Sequence, residues 1–293
     1  MATKNAEPIN AELNLTDLLR VPAGALNLDD VDPRGRLGYP GRGKRDSAAH
    51  MAIIDPELSD LQERLYAASR VDEAPPRSLL LVLQGLDTSG KGGVIRKAIG
   101  MVDPQGVQLK AFKAPTDEEK SHPFLWRIKK ALPTSGMIGI FDRSHYEDVL
   151  VTRVNGWIDK ATWEARYDEI NSFEADLAAS GTTVLKCWLH VSWDEQYERL
   201  AERLENPDKH WKYNPGDLDT RRHFAEFQTA ASEAISRTNT DVAPWYVVPA
   251  DRKWYRNWAV AQLLLEHLRA FNLGWPVGEF SAAEQLEELA KLR

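Results

Sequence analysis

Cysteine is almost missing from this 293-residue chain: Cys187 stands alone, so no disulfide can form within it. The lone thiol lies in the apolar run TVLKCWLHV, where a buried side chain is expected, and such sparing use of cysteine fits a reducing cytoplasm. Long hydrophobic runs are missing too. No stretch approaches the roughly 20 apolar residues that cross a bilayer, and the opening MATKNAEPINAELNL lacks the apolar core of a secretion signal. Nor is there an excess of positive charge: the net charge is −7, so no bulk attraction to nucleic acid or to an acidic membrane is expected. Any polyanion has to be met by a local basic patch. Internal repeats are absent, which excludes solenoids and propellers.

What is present alternates strand with helix. SLLLVLQ, residues 78–84, reads as a strand buried on both faces because polar residues do not alternate with apolar ones. Four further strands are expected in VQLKAFK (107–113), MIGIFD (137–142), TVLKCWLHV (183–191) and WYVVPA (245–250), with helical stretches between them. That order predicts an α/β fold of three layers, a five-stranded parallel sheet covered by helices on both faces. Pro56 marks a helix start before PELSDLQERLYAAS, and Ser192 and Glu195 have the spacing of a capping box. Residues 1–54 read as an arm with little structure of its own, 55–275 as the main domain, and 276–293 as a tail helix on the surface. Within the arm, RGRLGYPGRGKR is either a solvated flexible segment or a polyanion contact.

The first strand runs directly into GLDTSGKGG, residues 85–93. Strand, Gly-x-x-x-x-Gly-Lys, then helix is the order in which backbone N–H groups of Gly85, Thr88, Ser89, Gly90, Gly92 and Gly93 converge on phosphate, with Lys91 supplying a full charge. Gly92 stands where a metal-binding hydroxyl is usual, and Asp87 places an anion inside the cradle. Bare like charges a few ångströms apart repel by roughly 4 kcal/mol at an effective dielectric of 20. A divalent cation between them reverses the sign, so Asp87 reads as a ligand of Mg²⁺ that bridges phosphates; the plainer alternative is a cap on the following turn.

MIGIFD delivers Asp142 to a strand's C-terminal end, where ligands bind in α/β sheets, and Arg143 follows. Asp142 suits metal binding or the orientation of an attacking oxygen, and Arg143 suits a phosphoryl group in transit; a surface salt bridge is the alternative. His145 has no partner His or Cys at zinc spacing. Between the fourth and fifth strands, residues 199–223 carry Arg199, Arg203, Lys209, Lys212 and Arg222 in a Pro/Gly-broken segment placed to close as a lid, or else to form balanced surface ion pairs. Trp211 and Tyr213 read as packing residues, as do Trp254 and Trp258 beside Lys253, a further phosphate contact expected at the end of the last strand.

Taken together, GLDTSGKGG, VDPQGVQLKAFKAPTDEEKSHPFLWRI, FDRSHYEDVLVTRV, HWKYNPGDLDTRR and APWYVVPADRKWYRNW closely resemble the polyphosphate kinase 2 family over residues 55–275. The resemblance implies a P-loop kinase fold and Mg²⁺-dependent, reversible phosphoryl transfer between inorganic polyphosphate and adenine or guanine nucleotides, without a protein phosphoenzyme. It further implies metal or catalytic roles for Asp87 and Asp142, phosphate contacts for Lys91 and Arg143, and a substrate-side role for Lys113. Glu147, in HYED, resembles the subgroup that accepts nucleoside monophosphates as well as diphosphates. Homo-oligomers are expected from the same resemblance. Two rival readings are a kinase that uses ATP on a small acceptor, which the missing hydroxyl at Gly92 disfavours, and a non-catalytic polyphosphate or nucleotide sensor, which would not need the full set of Asp87, Lys91, Asp142 and Arg143.

Overall fold

In a computed structural model, which describes residues 14–71 and 75–293, SLLLVLQ is strand β1 (Ser78–Gln84), buried along its whole length. Its partners are β2 (Val107–Ala111), β3 (Ile138–Asp142), β4 (Thr182–His190) and β5 (Trp245–Pro249), in the spatial order β2-β3-β1-β4-β5. Every pairing is parallel. The central strand therefore has neighbours reached by crossovers in opposite directions, and the crevice at its C-terminal end is where such sheets bind ligands.

The helices, in chain order, are α1 (Leu15–Leu19), α2 (Ser47–Ala68), α3 (Lys91–Lys97), α4 (Asp117–Lys120), α5 (Trp126–Lys129), α6 (Glu147–Val154), α7 (Lys160–Ala179), α8 (Trp193–Glu205), α9 (Gly216–Arg222), α10 (Phe224–Thr238), α11 (Lys253–Ala270) and α12 (Ala282–Ala290). α2, α3 and α11 pack together on one side of the sheet, and α6, α7 and α10 on the other. The three layers expected from the alternation are thus present. α12 buries none of its residues, as a surface tail helix should.

Two expectations are corrected. The helix read as starting at Pro56 begins at Ser47 and carries Pro56 inside it. Pro56 and Ala52 both lie on the exposed side, so the carbonyl that loses its helical donor is left to water. The second correction concerns the arm. Residues 1–13 lie outside the described residues, but 14–46 are not loose: Leu15, Leu19, Val21 and Leu28 are core residues. Glu266 accepts from the N–H groups of Leu15 (3.0 Å) and Thr16 (2.8 Å). Val21 N–H donates to the Trp245 carbonyl at 2.8 Å, beside an antiparallel bridge between Arg20 and Tyr246. β5 is an edge strand, and the segment covers the edge that would otherwise expose unpaired backbone groups.

Under the sheet a polar cluster is sealed from solvent. Lys186 of β4 and Glu174 of α7 are fully buried. Lys186 Nζ donates to Glu174 Oε2 (2.5 Å), to the Thr238 carbonyl (2.8 Å) and to Tyr146 Oη (3.0 Å). Glu174 Oε1 also accepts from Tyr146 Oη at 2.8 Å and lies 3.2 Å from His145 Nε2. Three elements and the segment before α6 are thereby tied at one point.

Candidate active site

Gly85 and Gly90 have φ of 147° and 106°, conformations that glycine adopts without strain. Close packing adds a second requirement. A Cβ on Gly85 would sit 2.7 Å from both the Leu189 carbonyl and Ser89 Oγ, and one on Gly90 would overlap the Arg256 guanidinium. Gly92 differs: nothing lies within 4 Å of its would-be Cβ, so the usual hydroxyl position faces open space.

Two buried arginines brace the loop from below. Arg199 donates from Nη1 to the carbonyls of Thr88 (2.8 Å) and Ser89 (3.2 Å), and from Nη2 to those of Ala250 (2.7 Å) and Asp251 (3.0 Å). Arg256 Nη1 donates to the Ser89 carbonyl at 3.0 Å. The loop's carbonyls are thus occupied from underneath, while the N–H groups of Ser89 and Gly93 donate within the loop to the carbonyls of Leu86 (3.0 Å) and Gly90 (2.9 Å). Arg199 was expected on the lid's cationic face; it is instead part of the loop's foundation. Asp251 binds Ser192 N–H (2.9 Å) and Oγ (2.8 Å), so the capping box is only half made. Ser192 Oγ does accept from Glu195 N–H at 3.1 Å, but the Glu195 carboxylate is engaged by Arg199 Nε at 2.9 Å.

Above the loop the charged residues meet. Lys91 Nζ folds back to the Gly85 carbonyl at 2.8 Å. Burial, and then repulsion by Arg143, pull its pKa down against the opposing pull of Asp87, Asp142 and Glu147. Arg143 Nη2 donates to Asp87 Oδ1 at 2.7 Å, and its Nη1 lies 3.8 Å from Glu147 Oε2. Burial would lower the Arg143 pKa, but Glu147, Asp87 and Asp142 outweigh it and raise it. Arg143 has φ 65°, a costly conformation for a side chain with a Cβ and one that collects at functional sites. Its N–H is fixed to the Leu83 carbonyl at 3.1 Å. Burial raises the Glu147 pKa, only partly offset by Arg143 and Lys91.

This cluster forms one wall of a cleft of about 410 Å³, within the usual range for small-molecule sites. Leu150 and Trp157 line a second wall, Trp188 the floor, and Asn214, Asp217 and Thr220 the side formed by the α9 segment. Sequence reasoning missed Trp157, which is 68% exposed, and Asp217, which is buried. The Asp217 carboxyl is pushed up by burial and by Asp87. No periodicity could have placed either one at the cleft; only the fold brings them to Asp87.

Asp87, Lys91, Asp142 and Arg143 come together as expected, with Glu147 beside them. The expected lid cations do not join them. Arg203 binds Asp217 (2.9 Å), Lys209 pairs with Glu202, Arg222 pairs with Asp219, and Lys253 lies 3.5 Å from Glu202. Lys212 sits 4.9 Å from the ring centroid of Trp211, which is 77% exposed and so is not the packing residue it was expected to be. Lys113 is exposed, and its carbonyl accepts from Arg127 Nη1 at 2.9 Å. Asp87 and Asp142 are hard oxygen donors beside a phosphate loop. Mg²⁺ needs only one or two carboxylates when phosphate and water complete its shell, and this donor set fits it.

The family model for polyphosphate kinase 2 (PPK2) matches residues 44–273. The chain belongs to the polyphosphate kinase 2 family. Among its relatives, an AMP/ADP-polyphosphate phosphotransferase of Meiothermus ruber is 42% identical over 265 residues, covering 90% of this chain and 96% of the relative. An ADP-polyphosphate phosphotransferase of Rhodopseudomonas palustris is 38% identical over 231 residues, covering 75% and 78%. A crystal structure of polyphosphate kinase 2 from Arthrobacter aurescens TC1 superimposes with a TM-score of 0.91 at 49% identity, covering 94% of this chain and 96% of that one. The P-loop kinase fold of the family is therefore the fold of this chain.

Proposed function

We propose that the protein transfers the terminal phosphoryl group of inorganic polyphosphate to AMP or ADP, and more weakly to GMP or GDP, and that the transfer is reversible. One phosphoanhydride P–O bond breaks as another forms on a terminal phosphate oxygen of the acceptor. The observation that carries this reading is the Asp87–Arg143–Glu147 cluster on the wall of a cleft of about 410 Å³, beside Lys91. The near full-length relative named for both AMP and ADP supports the choice of acceptors. Phosphoryl transfer of this kind asks the protein for positioning and electrostatic stabilisation. Lys91 and the loop amides hold one phosphate chain, Arg143 holds the moving group, and Asp142 orients the acceptor. Mg²⁺ held by Asp87 and Asp142 would neutralise charge between the two phosphate chains. Of residues 199–223, the part beyond α8 acts as the lid; as it closes, Asp217 leaves Arg203 on the fixed helix and Arg222 leaves Asp219, so that both arginines turn to phosphate oxygens and water is expelled.

The test is ATP formation from ADP, or ADP formation from AMP, with long polyphosphate and Mg²⁺. Product formed only when ATP is the donor would favour an ordinary nucleotide kinase, and binding without turnover would favour a sensor. Asp87→Asn should almost abolish turnover at low Mg²⁺ and leave the thermal melt unchanged; near-normal rates there would remove Asp87 from the metal site. Glu147→Asn should lower AMP phosphorylation by about tenfold relative to ADP phosphorylation, read as the ratio of kcat/KM values for the two acceptors. An unchanged ratio would take acceptor choice away from Glu147.

A further inference from the structure

The segment RGRLGYPGRGKR, residues 34–45, carries five cations and no acid in a chain of net charge −7. The site described above uses none of them. Arg34, Arg36, Arg42, Lys44 and Arg45 are all exposed, yet the backbone that carries them is fastened. Arg252 Nε donates to the Arg34 carbonyl at 2.7 Å, Tyr255 Oη to the Leu37 carbonyl at 2.7 Å, and Asp251 N–H to the Pro33 carbonyl at 3.1 Å. The Tyr39 ring packs edge-on to Trp254 and Trp258, with centroids 4.7 and 4.9 Å apart. Anchoring thus consumes carbonyls and one aromatic ring, and leaves the cationic heads outside. The flanking acids are Asp32, which accepts from Arg34 N–H at 2.8 Å, and Asp46, whose carboxylate lies 3.6 Å from Arg42 Nε. Among the described residues, the side chains of Arg34, Lys44 and Arg45 make neither an ion pair nor a hydrogen bond.

The position of this segment gives those charges a use. It docks at the C-terminal end of β5 and on the first turns of α11, the same end of the sheet as the phosphate loop. β5 lies two strand spacings from β1, about 10 Å. On that same stretch of α11, Arg256 contacts the loop at Ser89 and packs against Gly90 and Gly93. The cleft opens from the loop toward Glu147 and Trp157, whereas the basic segment lies across α11. We propose that residues 34–45 form a second polyphosphate-binding site, which holds the distal part of a long chain whose end reacts at the phosphate loop. This rests on the polyphosphate reading above and adds to it a preference for long chains. A flexible basic tail would pay ordering entropy on binding; a docked one has paid it in folding. Inorganic polyphosphate suits the segment better than nucleic acid because its one aromatic side chain is used in packing, leaving none for base stacking.

The test compares wild type with the variant Arg34→Gln/Lys44→Gln/Arg45→Gln, using ADP as acceptor and either tetrapolyphosphate or long-chain polyphosphate as donor. In the variant, KM for the long chain should rise by about tenfold and the salt dependence of long-chain binding should fall by about 2 in log–log slope, three contacts at about 0.7 each. KM for tetrapolyphosphate, KM for ADP, kcat and the thermal melt should stay put. An unchanged long-chain KM and salt slope would overturn the proposal. A direct readout, fluorescence anisotropy of end-labelled long polyphosphate without nucleotide, keeps the two readings apart. Loss of affinity in the variant supports the second site even if no donor is turned over, an outcome that would defeat the catalytic reading alone. Competition by single-stranded DNA of equal charge as strong as that by unlabelled polyphosphate would overturn the assignment to polyphosphate.

Discussion

Arg143→Ala should lower kcat by about a thousandfold, the lower end of what an arginine on a transferring phosphoryl group contributes. The guanidinium bridges Asp87 and Glu147, so its removal also leaves Lys91 alone to balance two carboxylates that face the incoming phosphates. Nucleotide affinity should change far less than turnover, because the cleft walls at Leu150 and Trp157 remain. Arg143→Lys should recover only part of the loss: a single ammonium cannot reach both carboxylates in the forked geometry of a guanidinium. Steady-state ATP formation from ADP and polyphosphate, with KM and kcat separated, is the measurement. A fall in kcat of less than about tenfold would remove Arg143 from the transferring group and leave it a loop-positioning residue.

The second large effect is on stability. Glu174→Gln leaves the Lys186 ammonium buried without its counter-ion, which costs about 3–5 kcal/mol and should lower the melting temperature by on the order of 10 °C. Replacing both residues, as Glu174→Leu/Lys186→Met, should recover much of that, because no uncompensated charge remains. Differential scanning calorimetry of the three variants decides the matter, and equal melting temperatures for Glu174→Gln and wild type would show that the pair contributes nothing. Acid should act as the single substitution does. Burial alone would raise the Glu174 carboxyl, but Lys186 and the hydrogen bond from His145 outweigh it and hold the pKa below its ordinary value. A depressed folded-state pKa contributes stability that is present above the unfolded carboxylate's value and is lost as pH falls through the folded one. The wild-type melt should therefore carry a steeper acid-side slope than that of the double variant, which keeps only the share of other depressed carboxylates such as Glu57.

Local pattern carried the sheet and the heart of the site. SLLLVLQ coincides with β1 from Ser78 to Gln84, and Asp142 closes β3 where a strand-end carboxylate was expected. Glycines at 85 and 90 announce backbone conformations, and such requirements are written in the residue itself. Other features are set by contacts between residues far apart in sequence. Arg199 and Arg256 look like any surface arginines until the carbonyls they cap, from Thr88 to Asp251, are brought beneath the loop. Residues 14–46 show no sustained period because they follow the outline of β5, α10 and α11 and form little regular structure of their own. Lys186 sits in an apolar run with nothing local to reveal that Glu174 waits for it on α7. α10 is hard to read from the sequence because the face it buries is made largely of alanine and polar residues, Gln228, Ala230, Ala231, Ala234 and Thr238 among them, so its apolar stripe is weak.

For the lid proposed above, Arg199 also decides where motion can begin. One guanidinium clamps the carbonyls of Thr88 and Ser89 to those of Ala250 and Asp251, and it projects from the middle of α8. The first half of that helix is thereby welded to the chassis of the molecule and cannot swing without tearing the nucleotide-binding end of the sheet. The articulation has to fall downstream, at Asn206–Pro207, where helical geometry is broken. What travels is a short paddle, residues 207–223, on a fixed stem.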